Sequence, residues 1–277
     1  MSRYSAKTIH LDLIENARTK SEPYIPLQYS TLNEYWDHFS DEPRPSGYPT
    51  IGYMAIGNGG HAHATGNVGA ALLDDRVHEV TDARLFNHIP FIIRPRGADL
   101  SATERAKYRI RRLETHAGQE YWVYYLKKIT FTTSTPTIEV ITTVNNVTTS
   151  VPFEATGAML NPTPLPMVNG QVQGVTGRKI SVQSPLSITL TNAEIREIIN
   201  ACEILFGDAR YAIISEIALV SGYDKVLEVN TGGIPISYTE LICAQCCNFL
   251  GDRLFLSPEM RIATFSYELG NIQTYRR

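Results

Sequence analysis

The sequence has little cysteine and no long apolar run. Its four cysteines, Cys202, Cys243, Cys246 and Cys247, are too few and too clustered for the disulfide framework of a small secreted protein. No apolar stretch approaches the roughly 20 residues that a membrane helix requires, and residues 1–20 contain no continuous apolar core of signal-peptide length. We therefore expect a protein that is used without secretion and has no membrane partner.

An excess of positive charge is also missing. The formal net charge is −3 over 277 residues, whereas a broad nucleic-acid-binding surface needs a strongly basic face. Five Lys or Arg do fall between Arg105 and Arg112, but we expect no nucleic-acid partner. Hydrophobic residues make up 43% of the chain and charged residues 19%, a composition typical of a globular protein that buries its own core.

The familiar motifs of catalysis are absent as well. No Ser-His-Asp, paired-acid or H-E-x-x-H arrangement is visible. Glu216 interrupts an apolar, β-prone run over residues 211–220; a catalytic carboxylate there would need a converging acid or histidine, and the structural alternative is a carboxylate that caps backbone groups or pairs with an arginine. Cys243 and Cys246 have C-x-x-C spacing without a second pair, which favours small core positions on a predicted helix. We predict that the protein is not an enzyme.

A stretch rich in glycine and histidine, GYMAIGNGGHAHATG, occupies residues 52–66. It lacks the Lys-Ser/Thr of a phosphate-binding loop and the full spacing of a dinucleotide fingerprint. His61 and His63 lie two residues apart, so in an extended chain both imidazoles would face one side and could reach one metal ion. Surface histidines in a loop are commoner, and no metal or other cofactor is predicted.

The glycines of this stretch are better explained by shape. Gly57, Gly59 and Gly60 are expected to supply positive φ in a turn that follows a strand, and Asn58 tolerates the same region.

The predicted fold class is α+β and β-rich, with antiparallel sheets in a sandwich-like arrangement, two C-terminal helices packed on one face and an extended N-terminal arm. The predicted segments are an arm (1–50), a β-rich domain with a projecting Thr-rich hairpin (51–156), a linker (157–184) and an α+β domain (185–277).

Local signals support these elements. The capping-box spacings Thr31–Glu34, Thr191–Glu194 and Ser237–Glu240 predict helices, the last with Ile242, Cys246, Phe249 and Leu250 on one face, and Gly207 predicts the end of the second. Strand patterns predict hairpins with turns at residues 116–119, at Asn145-Asn146 and at residues 222–225, and a closing strand over residues 262–269.

Three segments resemble a known family. Met54-Ala-Ile-Gly-Asn-Gly-Gly60 resembles the glycine-rich turn of phage tail-collar and tail-fibre attachment domains, and Asn87-His-Ile-Pro-Phe-Ile-Ile-Arg94 stands where that family has a strand with an apolar-Pro-apolar pattern. Ile214-Ser-Glu-Ile-Ala-Leu-Val220 resembles the family's Ile-Ser-Glu-Ile-Gly-Leu strand, with Ala218 in place of the usual glycine. The chain also looks like wedge and adaptor proteins of contractile-tailed phage baseplates.

The resemblance implies an oligomeric binding module without catalysis. We expect a structural subunit of a tailed bacteriophage virion, assembled in the host cytoplasm, namely a baseplate wedge or adaptor that docks neighbouring tail proteins or fibres. The expected partners are other virion proteins and further copies of the chain. A neck, collar or capsid-decoration protein is the alternative, and a metal-dependent hydrolase using His61, His63 and Glu216 is the alternative of another class. The candidate interface residues are Tyr35, Trp36, Phe39, Asn58, Asn145, Asn146, Tyr267 and Tyr275.

Overall fold

The chain divides into two compact units. The computed structural model describes residues 4–63, 72–131, 135–164, 167–169, 171–172, 174–231 and 234–276. The large unit contains residues 1–130 and 189–263, and the small unit contains residues 131–188 and 264–277. The segment boundaries predicted after residues 50, 156 and 184 cut across these units, because the N-terminal segment packs within the large unit and the last strand extends into the small one.

The helices confirm two of the three predicted capping boxes. In the described part of the chain the α-helices are α1 (Ile9–Lys20), α2 (Leu32–Trp36), α3 (Ala102–Arg105) and α4 (Asn192–Phe206), with 3-10 turns at Gly157–Leu160 and Ala209–Tyr211. Thr31 and Thr191 each accept a hydrogen bond from the backbone N–H of the glutamate three residues on, and that glutamate accepts one from the cap N–H. Gly207 ends α4 at a φ of 71°, as predicted. None of these helices has the length and apolar character needed to cross a bilayer.

The prediction of an extended arm over residues 1–50 is wrong for Ile9–Lys20, which form the helix α1. The Thr8 side chain accepts a hydrogen bond from Leu11 N–H at the start of this helix, and Ser21 ends it in the left-handed conformation. Only His10 and Ile14 are buried on this helix. The sequence therefore lacks the broad apolar stripe by which an amphipathic helix is predicted.

The large unit is built on one antiparallel sheet. Its strands up to residue 128 are β1 (Tyr4–Lys7), β2 (Thr50–Gly57), β3 (His61–His63), β4 (Leu72–Asp75), β5 (His88–Ile89), β6 (Ile92–Pro95), β7 (Tyr108–His116) and β8 (Gln119–Lys128). The later strands of the chain are β9 (Thr137–Val144), β10 (Val147–Pro152), β11 (Met167–Val168), β12 (Gln171–Val172), β13 (Gly174–Thr191), β14 (Ile213–Thr231), β15 (Ile234–Phe255) and β16 (Ile262–Arg276). Eight of the described strands form the sheet in the order β1-β15-β14-β2-β8-β6, with β5 beside β2 and β7 beside β8. Helices α1 and α2 pack against β15, and α4 packs against β5 and β6.

The predicted class, β-rich α+β with antiparallel sheets and a helix in the C-terminal part, is therefore confirmed. The core of the large unit joins Tyr53 of β2, Leu126 of β8, Val220 of β14 and Phe249 of β15 to Ala201 of α4. The hairpin of β7 and β8 is confirmed too, with Ala117 and Gly118 of its turn both at positive φ.

The second predicted C-terminal helix is wrong, because Ser237 to Leu250 belong to the strand β15. The hairpin predicted around Gly222 is wrong as well, since β14 runs through that glycine and pairs along its length with β15. Residues 241–250 are almost all buried, and a strand that is covered on both faces has a nearly continuous apolar sequence. Such a run cannot be told from a helix by its periodicity.

The cysteines occupy packing positions. Cys202, Cys246 and Cys247 are buried free thiols, and Cys243 is half-buried. Burial raises the pKa of Cys202 to about 12 and that of Cys247 to about 11, so both thiols are neutral near pH 7. The core position predicted for Cys246 is confirmed, although it lies on a strand.

The small unit contains a four-stranded sheet in the order β10-β9-β13-β16. Asn145 and Asn146, both at positive φ, form the predicted tight turn between β9 and β10. The linker predicted over residues 157–184 is wrong in its second half, because β13 begins at Gly174 and pairs with β9. The proline and glycine residues before residue 177 favour a loop, so the sequence pattern did not indicate where this strand begins.

Candidate functional site

The three segments that carry the family resemblance meet at one buried carboxylate. Strand β2, which ends at Gly57, pairs with β14 so that Gly57 lies opposite Glu216. Strand β5 pairs with β2, and His88 lies opposite Gly57. Glu216 is 0% exposed and is therefore surrounded by the glycine-rich turn, by the segment before β5 and by its own strand.

Both oxygens of Glu216 are occupied by hydrogen bonds. Oε1 accepts from the backbone N–H groups of Gly59 (2.9 Å) and Asn87 (3.0 Å). Oε2 accepts from the N–H of Phe86 (2.9 Å) and is 2.8 Å from Nε2 of His78. The neighbouring Ser215 Oγ accepts from Gly60 N–H at 3.0 Å. Glu216 therefore caps backbone groups, which is the structural alternative that its sequence context left open.

The glycines of the turn are required by close approach. A Cβ at Gly57 would lie 2.5 Å from both Asn87 O and Glu216 Oε1, and a Cβ at Gly60 would lie 2.5 Å from Ser215 O. A Cβ at Gly59 would lie 2.7 Å from the backbone N of Asn87. The positive φ predicted for these three glycines is wrong; a side chain there would fill the space through which the backbone reaches the carboxylate.

His78 links this carboxylate to a second one. Its Nδ1 lies 2.8 Å from Oδ2 of Asp82, while its Nε2 contacts Glu216. The imidazole is stacked between the rings of Phe86 and Phe249, with centroid distances of 3.9 Å on both sides. Sequence analysis missed His78 and Asp82, because they lie in an irregular segment whose spacing matches no known motif.

The hypothetical metal site of His61 and His63 lies only partly within the described residues. His61 is buried in β3 and lies opposite Asp75 of β4, while the side chain of His63 lies outside the described residues. Within the described ranges, no group of three or more His, Cys, Asp or Glu side chains is arranged to hold a metal ion. The four donors on Glu216 leave its oxygens without a free position for a metal or a water nucleophile.

A second buried carboxylate is held in the same way. Glu240 of β15 is 0% exposed and accepts hydrogen bonds from the N–H groups of Ile110 (2.6 Å), Arg111 (3.0 Å) and Leu241 (2.8 Å). Nε2 of His38 lies 3.1 Å away. Ile110 has a φ of 52°, which is strained for a β-branched residue; this conformation turns two successive N–H groups toward one oxyanion.

An open cleft lies beside the Glu216 network and shares Asp82 and Phe86 with it. Its volume is about 610 Å³, and its lining comprises Tyr29, Thr31, Glu34, Tyr35, Arg76, Thr81, Asp82, Ala83, Arg84, Leu85 and Phe86. The guanidinium of Arg76 lies 4.5 Å from the ring centre of Phe86, and that of Arg84 lies 4.5 Å from the ring centre of Tyr35. The cleft has the size of a small-ligand pocket and combines cations with aromatic walls.

The predicted interface residues differ in exposure. Tyr35, Asn145 and Asn146 are exposed, and Asn58 and Phe39 are half-buried. Trp36 stacks on Tyr125 of its own chain at a centroid distance of 4.6 Å, and Tyr267 is only 8% exposed, so neither offers much surface to a partner. The side chain of Tyr275 lies outside the described residues. As contacts with other chains, these residues remain predictions.

His88, which packs against Trp36, should make stability depend on pH. Burial, followed by the nearby Arg84 guanidinium, lowers the pKa of His88 to about 3, and its Nε2 accepts a hydrogen bond from Leu85 N–H. Because the unfolded imidazole titrates near pH 6.5, the stabilisation is complete above that pH and is lost as the pH falls toward 3. Between pH 6.5 and 5 we expect wild type to lose roughly 2 kcal/mol more than His88→Gln. Urea unfolding at several pH values measures the unfolding free energy of both proteins. The same dependence of this free energy on pH in wild type and His88→Gln would contradict the prediction.

Comparison with known proteins gives a family but no function. No curated protein and no solved structure matches the chain. A family model matches residues 1–275, nearly the whole sequence. The chain belongs to DUF7208, a family of unknown function.

Proposed function

We propose that the protein is a non-enzymatic structural subunit of a tailed bacteriophage virion, a baseplate wedge or adaptor component that docks neighbouring tail proteins or fibres. The observation that carries this proposal is the convergence of the three resembling segments on Glu216. Gly59 and Asn87 donate to the carboxylate from two of these segments, and the third contributes the carboxylate itself. Phe86, the residue just before the second segment, adds a further donor. Short motifs that build one physical unit are a stronger basis for a resemblance than short motifs scattered over a fold.

An exposed apolar face on the small unit supports a docking role. Because side chains alternate along a strand, Ile138 and Val144 of β9 share a face with their cross-strand partners on β10 and β13. The exposed members of this face are Ile138, Val144, Val147, Val151 and Val182. Exposed apolar side chains grouped on one face of a sheet are typical of protein interaction sites, and the proposed occupant is a neighbouring subunit of the virion.

In this geometry Glu216 is not available as the catalytic carboxylate of the hydrolase alternative. A hydrolase that used Glu216 would need a carboxylate oxygen facing a substrate or a metal-bound water. All four of its close contacts are instead hydrogen bonds within the chain. A neck, collar or capsid-decoration protein remains the structural alternative, since it would use the same docking face.

Sedimentation of particles tests the proposal. Particles from a culture that produces this chain would be purified on a density gradient, washed in high salt and probed with an antibody against the chain. We expect the chain in the particle fraction at a fixed ratio to the major particle proteins. Recovery of the chain only in the soluble fraction, while those proteins sediment, would overturn the proposal; its position in baseplate or neck follows from labelling the particles under the electron microscope.

A pair of variants on β10 tests the docking face. Val147→Lys/Val151→Lys places two charges on the apolar face and should abolish incorporation into particles, because a lysine ammonium cannot be buried unpaired. Thr148→Lys/Ser150→Lys places the same charges on the opposite face of the same exposed strand and should leave incorporation unchanged. Equal incorporation of both variants would exclude this face as the contact.

A further inference from the structure

We infer that the cleft beside Asp82 binds the carboxylate of an acidic peptide segment, held between Arg76 and Arg84. This site is distinct from the apolar face of the small unit and does not depend on it. The inference rests on three features of the cleft: two carboxylates that already have partners within the chain, two arginines that pair with no carboxylate among the described residues, and the aromatic wall around them.

The two acidic residues of the cleft have their own partners. The Glu34 carboxylate accepts hydrogen bonds from the N–H groups of Tyr29, Ser30 and Thr31 and from Thr31 Oγ1, at 2.9 to 3.2 Å. Asp82 uses one carboxylate oxygen, Oδ2, which lies 2.8 Å from His78 Nδ1 and accepts from Glu79 N–H at 3.1 Å. These negative charges are therefore engaged in holding the loops that form the walls.

The two cleft arginines lack such partners. Neither Arg76 nor Arg84 forms an ion pair with the described residues, and both are exposed. Nη1 of Arg76 donates to Gly59 O at 3.3 Å, and Nη1 of Arg84 donates to Leu85 O at 3.1 Å. Each guanidinium is thus oriented by a ring below it and a carbonyl beside it, and no acidic side chain in the described part of the chain pairs with its remaining N–H groups.

This arrangement favours a planar oxyanion. A guanidinium stacked on a ring offers its N–H groups along its edge, and a carboxylate accepts two parallel hydrogen bonds in that plane. An arginine whose rotamers are already restricted loses little entropy on binding. Charge complementarity therefore selects an acidic ligand.

The rim of the cleft favours a peptide over a bare anion. Tyr29 is 80% exposed and has a φ of 60°, and its N–H is held by Glu34 Oε1. Tyr35 is 49% exposed on the same rim. These aromatic rings provide apolar contact surface beside the cations. In a bound peptide, the side chains that flank the carboxylate would pack against them.

Fluorescence anisotropy on the purified full chain tests the inference. The probe is a labelled peptide of alternating glutamate and tyrosine, with a lysine–tyrosine peptide of equal length as the comparison. We expect saturable binding of the glutamate peptide alone. Arg76→Gln and Arg84→Gln should each weaken it about tenfold or more, the effect of losing a charge-assisted hydrogen bond, and the double variant should show none.

Control variants separate the site from general charge effects. Arg96→Gln removes one exposed positive charge whose partner is Glu120 and should leave binding unchanged. Arg76→Glu/Arg84→Glu should prefer the lysine–tyrosine peptide, with a thermal melt verifying that it folds. Glutamate-peptide binding that is unaffected by both single glutamine variants would overturn the inference. So would displacement by inorganic phosphate at concentrations below that of the peptide, since this would indicate a phosphoryl site.

Discussion

Glu216→Ala should lower the unfolding free energy by about 3 to 5 kcal/mol, because it breaks a buried hydrogen-bond network in which one carboxylate serves several donors. The variant removes the acceptor from the buried N–H group of Gly59 and from the partly buried N–H groups of Phe86 and Asn87. An unsatisfied donor costs about 1 to 3 kcal/mol when it cannot reach water. The variant also removes the Nε2 contact of His78. Because the total stability of a domain is typically 5 to 15 kcal/mol, much of the protein should be unfolded or insoluble at 37 °C.

Urea unfolding of wild type and variants measures this effect. Glu228→Ala is the matched control, because Glu228 lies on the same strand β14 with an exposed side chain; its change should stay within about 0.5 kcal/mol. Glu216→Gln keeps an acceptor oxygen and should fall between the two. Similar small changes for Glu216→Ala and Glu228→Ala would show that the carboxylate does not anchor the loops.

Gly57→Ala should lower the unfolding free energy by about 3 kcal/mol, at the upper end of the usual range for overpacking. The new Cβ would lie 2.5 Å from the backbone oxygen of Asn87 and from Glu216 Oε1. Neither contact can be relieved by rotating a flexible side chain, since the carboxylate is held by four partners. The strand must shift away from β14 or the carboxylate must leave its donors.

Gly52→Ala is the control on the same strand. Nothing lies within 4 Å of a Cβ at Gly52, so this alanine should be neutral or should stabilise the protein by up to about 1 kcal/mol through the unfolded state. Thermal denaturation of both variants distinguishes the effects. If Gly57→Ala proves as mild as Gly52→Ala, the packing around Glu216 is looser than the structure indicates.

The two buried glutamates hold other segments of the chain against the paired strands β14 and β15. Glu216 and Glu240 lie on the paired strands β14 and β15, and each gathers backbone N–H groups from distant segments. The loops around Glu216 have few other partners for their N–H groups, and a buried carboxylate supplies two acceptor oxygens in one place. Such sites are satisfied in only one arrangement of the loops, so they oppose alternative ones.

Local signals accounted for the elements that depend on a few neighbouring residues. The capping boxes at Thr31 and Thr191, the stop at Gly207 and the turn at Asn145-Asn146 were all predictable, since each requires particular side chains within four residues. The same reasoning failed at Ser237, where the capping-box spacing is present but Glu240 binds Ile110 and Arg111 instead. Tertiary contacts overrode the local signal there.

By itself, the sequence determined the β-rich α+β class, the positions of α2 and α4, and the importance of the Met54–Gly60 and Ile214–Val220 segments. Only the tertiary structure decided why those segments matter: their glycines make room for a carboxylate, and their backbone satisfies it. It also revealed His78, Asp82 and the arginine cleft. These features join residues that are far apart in the chain. They depend on hydrogen-bond distances of about 3 Å, which cannot be read from the spacing of residues along a sequence. The stretch GYMAIGNGGHAHATG thus contains part of an internal anchor, built by close approach of backbone to a buried charge.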